Sequence, residues 1–154
     1  MAPSAVPSRA PRSRWLRRLL VVAVLLAVYP AFVFGTVYLA TSRSDLPGGR
    51  HGPKDAYRHT LASATVAFTG SPRWVDWVTA VMEGDGHGHA GRSDAARAMD
   101  AHNNRIGARI GAGAASWNEM NAAVLRAVQA GGAAVEDEDR ITWLPRERWQ
   151  DRWY

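Results

Sequence analysis

Residues 19–42, LLVVAVLLAVYPAFVFGTVYLATS, run for 24 positions without a charged side chain. An apolar stretch of roughly 18 residues or more is long enough to cross a bilayer as a helix. Immediately before it stand Arg9, Arg12, Arg14, Arg17 and Arg18. Arginines beside a span stay on the cytoplasmic side, so the reading is a single-pass anchor in the inner membrane. Its N-terminus lies in the cytoplasm and its C-terminal domain outside. A cleaved signal peptide is the alternative. It shares the basic and apolar regions, but its apolar part is usually ~7–15 residues, and cleavage after Ala40 would need a small residue where Tyr38 stands. Pro30 and Gly35 are compatible with a membrane helix.

The same five arginines account for the net charge of +5, because the rest of the chain carries 14 cations and 14 anions. A neutral domain behind a basic tail argues against nucleic-acid binding. With no cysteine, disulfide scaffolds, thiol nucleophiles and lipoprotein anchoring are excluded. The expected organisation is a disordered basic tail (1–18), an anchor (19–42), a turn-rich linker (43–52), a helical domain (53–132) and an acidic, Trp-rich tail (133–154).

The fold class expected of the domain is all-α, a small bundle of about four helices. Pro53 opens the first, which runs to Thr69 before Gly70. Ser71 and Pro72 open a second, ending near Glu83. The loop GDGHGHAG follows over 84–91. A third helix starts near Ser93 or Asp94. Ser116 caps a fourth in a capping-box pattern with Glu119, and Trp117, Met120, Val124, Ala127 and Val128 form its apolar stripe. Gly131-Gly132 ends it, leaving a tail for a short hairpin or an irregular strap.

Helical spacing aligns Asp55, Arg58 and His59 with Ala62 and Val66, while Tyr57, Leu61, Ala64 and Phe68 take the opposite face. Ionisable groups in line with apolar ones are covered groups, and these need partners or a cavity. A local ion pair is the simpler account. On the third helix Asp100, Asn103, Asn104, Gly107 and Gly111 share a stripe. Glycine and asparagine weaken a helix, which is tolerable where something approaches closely, either a neighbouring helix or a ligand. Facing each other, the two stripes would make one polar cleft. His87 and His89, with Glu83 nearby, have a spacing suited to a divalent metal such as zinc. The chain contains none of the G-x-S-x-G, Walker, H-E-x-x-H or G-x-G-x-x-G patterns.

Two blocks, Gly52-Pro53-Lys54-Asp55-Ala56-Tyr57-Arg58-His59 and Met99-Asp100-Ala101-His102-Asn103-Asn104 with Gly107, resemble an uncharacterised bacterial helical domain family. Its pattern is G-P-x-D-A-[FY]-R-H followed by M-D-x-x-N-N-x-x-G, and its members are secreted and polymorphic-toxin-like proteins. The resemblance covers about residues 52–111. It implies shared polar positions at Asp55, Arg58, His59, Asp100, Asn103 and Asn104. A family His-Glu pair leaves only Glu83 in correspondence here, with Met82 in the histidine place, and the arginine after the glycine falls on Ala108.

The expected activity is hydrolysis of an envelope component, lipid or peptidoglycan. His59 would be general base or metal ligand, Asp55 its orienting or metal-sharing partner, Arg58 the holder of an anionic group, and Asp100, Asn103 and Asn104 the rest of the site. The alternative is a non-catalytic envelope module. In that case the stripes only lock helices, and the Trp-rich tail meets a protein partner or the membrane.

Overall fold

The computed structural model describes residues 12–70 and 94–150. The second expected helix, with Glu83 at its end, and the loop carrying His87 and His89 lie outside the described residues. The described fold is all-α with very little strand: α1 (Arg12–Ser42), α2 (Pro53–Thr69), α3 (Asp94–Gly113), α4 (Trp117–Gln129), β1 (Gly132–Ala133), β2 (Thr142–Trp143) and a 3-10 turn at Arg146–Arg148.

The chain divides into two units, one ending at Phe32 and one beginning at Val33. In the first, α1 exposes Trp15, Leu19, Leu20, Val21, Val24 and Val28. Apolar side chains arrayed outwards on one helix suit lipid better than water. The 28 residues from Trp15 to Ser42 are long and apolar enough to cross a membrane. In the second unit Val33, Val37 and Thr41 are buried at four-residue spacing, so one face of the last turns of α1 is covered.

The helical domain is organised around α2. Gly52 stands at its N-cap in an extended conformation, Pro53 occupies the first turn, and Asp55 adds an acidic side chain where the helix dipole favours one. Residues on most sides of α2 are buried, including Ala56, Tyr57, Thr60, Leu61, Ala64 and Val66.

Its closest neighbour is α3. A Cβ added at Gly107 would lie 2.2 Å from the Thr60 carbonyl oxygen, and one at Gly111 2.1 Å from that of Ala64. Only glycine permits this backbone-to-backbone approach. Thr60 meets Gly107 and, four residues on, Ala64 meets Gly111, so the two helices run parallel with their N-termini at the same end. That pairing also explains the glycine stripe: its cost in helix propensity is offset by close packing.

Across the fold, α4 runs back. Ser116 Oγ accepts the Glu119 N–H at 3.2 Å, and Glu119 Oε2 accepts the Ala115 N–H at 3.0 Å. The reciprocal cap is therefore shifted by one residue from the ideal box. Met120, Val124 and Val128 are fully buried, and Trp117 meets Phe68 edge-on with ring centroids 5.8 Å apart. Full burial of Met120, Val124 and Val128 stabilises the domain by about 1.5–3 kcal/mol each.

The tail returns to the N-terminal end of α2 and α3. β1 and β2 pair in parallel, Gly132 with Thr142 and Ala133 with Trp143. A hairpin would be antiparallel, so the tail takes the strap form. With two residues a side, this ladder has no alternation of its own to display. What secures it is the underlying helix. Asn103 is fully buried and clamps β2 from both sides: its Nδ2 donates to the Thr142 carbonyl at 2.8 Å, and its Oδ1 accepts the Thr142 N–H at 3.0 Å.

Candidate functional site

Among the described residues, the N-terminal halves of α2 and α3 bring Asp55, Arg58, His59 and Asp100 together. Asp55 and His59 stand one turn apart on α2, and Asp100 faces them from α3. His59 Nε2 lies 3.6 Å from Asp55 Oδ1 and 3.4 Å from Asp100 Oδ1. Both carboxylates are almost completely buried, whereas the imidazole remains 27 % exposed. The group thus has two covered acids and one reachable ring.

Asp55 is held from several directions. Its Oδ1 pairs with the Arg58 guanidinium, and its Oδ2 accepts the His51 backbone N–H at 2.6 Å. Burial works to raise its pKa. The charges of His59 and Arg58, with the hydrogen bonds from His51 and Arg58, outweigh that and hold the carboxyl below its usual value. Asp55 is therefore a carboxylate at neutral pH. Burial alone pushes the Tyr57 hydroxyl up.

The ring geometry has a chemical consequence. One nitrogen, Nε2, faces both carboxylates and so carries the hydrogen. That leaves the lone pair on Nδ1, for which the described residues offer no hydrogen bond. Such a tautomer makes Nδ1 the basic atom.

Asp55, His59 and Asp100 can present one donor atom each within 4.8 Å of one another, a spacing that fits a single divalent cation.

Of the residues singled out from sequence, the structure brings Asp55, Arg58, His59 and Asp100 together. It turns the two asparagines elsewhere. Asn103 holds the Thr142 backbone, and Asn104 Oδ1 accepts the Ser63 hydroxyl at 2.9 Å, a bond across the α2–α3 crossing. Glu83, His87 and His89 lie outside the described residues. The sequence reading missed the His51 N–H, because a backbone donor has no residue type to betray it. The turn-rich segment RSDLPGGRHGP was the available signal.

A family model described as a domain of unknown function (DUF6973) matches residues 19–131, a stretch that takes in most of α1 and all of α2, α3 and α4. No curated protein and no solved structure matches the chain significantly.

Proposed function

We propose that this chain, which belongs to the DUF6973 family, is a membrane-anchored hydrolase whose general base is His59. The observation that carries the reading is the placement of one imidazole nitrogen against two buried carboxylates while the ring stays partly open to solvent. Asp55 and Asp100 orient the ring and stabilise the imidazolium formed when Nδ1 removes a proton from water. The resulting hydroxide attacks an acyl or phosphoryl centre, and the imidazolium returns the proton to the leaving group. Arg58 places positive charge beside an anionic substrate. With α1 as the anchor and the domain outside the cytoplasm, the substrate class is an envelope lipid or peptidoglycan.

A second reading has its own support. The 4.8 Å spacing of the three donors would let a divalent cation supply the activated water instead. A third, non-catalytic reading rests on Asn103 and Asn104, which serve as locks on the same stripe.

The test is the full chain in detergent, offered fluorogenic phospholipid vesicles and isolated peptidoglycan sacculi. Wild-type turnover of one of them, reduced about 10²–10⁴-fold in His59→Ala with little change in melting, supports the base. Turnover abolished by a chelator and restored by zinc moves the assignment to the cation. No turnover, together with large losses of stability in both His59→Ala and Asp100→Asn, refutes the hydrolase in favour of a structural lock.

A further inference from the structure

We infer that the C-terminal strap is a working part of this site: Trp149 is a positioning residue that, through the 48–52 segment, holds the His51 N–H on Asp55. The catalytic consequence rests on the hydrolase reading; the structural one does not.

The segment before α2 has an unusual backbone. His51 adopts φ 64°, in the left-handed region that a non-glycine residue enters at a cost. From that turn its N–H reaches Asp55 Oδ2 at 2.6 Å, and the cost of the turn means that contacts must hold it there. The strap supplies the contacts. Leu144 N–H donates to the His51 carbonyl at 2.9 Å, and Arg50 and Gln150 exchange backbone hydrogen bonds at 2.8 and 3.1 Å. The residue that donates to Asp55 and the residue before it are thus both tied to the tail.

Trp149 ties the strap to itself and to the linker. Its indole N–H donates to the Leu144 carbonyl at 2.6 Å. The ring also lies directly on two glycines. A Cβ at Gly48 would meet Trp149 Cε3 at 2.9 Å, and one at Gly52 would meet Cδ2 at 3.1 Å. Gly52 is the N-cap of α2, so the indole presses on the residue that joins His51 to the helix bearing Asp55 and His59.

The other end of the strap is fastened to α3. Asn103 grips Thr142 one turn beyond Asp100. A single segment is therefore referenced to both helices that carry the carboxylates. It lies beyond residues 19–131, and charged groups within it, Arg146, Glu147 and Arg148, are exposed. What it contributes to the site is backbone position.

The experiment is amide NMR on the full chain in detergent micelles. The short bond to a carboxylate should give the His51 N–H a strongly downfield resonance and slow exchange. In Trp149→Ala that resonance should move upfield and its exchange should rise by about tenfold or more, while Met120 and Val124 on α4 keep their protection. Trp149→Phe, which keeps a ring on the two glycines, should largely restore the His51 resonance. If Trp149→Ala does not fold, Gly52→Ala serves instead, since its methyl must displace the indole or Gly48, and the same shift is expected.

An unmoved His51 resonance in either folded variant overturns the inference. Loss of protection throughout α4 together with His51 overturns it too, because the strap would then be general scaffolding. Where wild-type hydrolysis is measurable, kcat should fall in Trp149→Ala with KM little changed. The His51 shift in a chain that hydrolyses neither substrate supports the strap and overturns the hydrolase alone.

Discussion

Alanine at position 107 perturbs the crossing on which the site is built. Its methyl would sit 2.2 Å from the Thr60 carbonyl oxygen and 3.0 Å from the Thr60 carbonyl carbon and Cα. All three atoms belong to backbone, so no side chain can swing aside. Ordinary carbon–oxygen contact is near 3.3 Å, so α2 and α3 must separate by about 1 Å. Overpacking of this kind costs about 1–3 kcal/mol, and a rigid neighbour puts the cost at the upper end. Replacing glycine in a helix returns up to about 1 kcal/mol. The net loss is then about 1–2 kcal/mol, which for a domain of this size lowers the melting temperature by about 5–15 °C. Gly107→Leu should be worse and prevent close packing altogether. Gly113→Ala is the internal control, because nothing lies within 4 Å of its added Cβ. Adding Gly111→Ala to Gly107→Ala should cost less than the sum, since the first methyl has already parted the helices. Thermal melts of the full chain in detergent, with Gly111→Ala alone included, give all five values. A Gly107→Ala protein that melts with its parent refutes the crossing, and with it the 3.4 Å approach of His59 to Asp100 across that crossing.

Asn103→Ala should strip two hydrogen bonds from the Thr142 backbone and destabilise the protein by about 2–4 kcal/mol, because both of the freed groups are buried; denaturant melts showing no loss would mean that the clamp is dispensable. Because the folded-state pKa of Asp55 is depressed, its contribution to stability is present above the unfolded value of about 3.9 and is lost as pH falls through the lower folded value. Stability of the parent should therefore drop on the acid side more steeply than that of Asp55→Asn, and parallel curves from pH 2 to 6 would count against the pairing. A reporter active only outside the cytoplasm, fused after residue 154, should be active; activity from a cytoplasmic reporter at the same place would invert the orientation of α1.

Helical periodicity made part of this arrangement legible. Asp55 and His59 are one turn apart on any α-helix, so their shared face could be read directly from spacing. Gly107 and Gly111 announced a close neighbour by their cost, and the structure shows that neighbour to be the Thr60 and Ala64 backbone. The boundaries of α2 were equally open to reading, because Gly52-Pro53 and Gly70 act locally. What the pattern could not disclose is where a buried amide finds its partner. Asn103 lies on the same stripe as Asp100, yet its partner is 39 residues on, in a tail whose two-residue strand has no period. The stripe identified a covered face without separating the side chains that meet His59 from those that hold β2. The donor to Asp55 was hidden for a further reason. Any non-proline residue at position 51 supplies an N–H; the left-handed turn and the Leu144 contact fix its backbone, and the Trp149 ring lies on the neighbouring glycines. Side-chain chemistry is written in residue identity; backbone chemistry is written in the contacts that fix φ, and those here come from the far end of the chain.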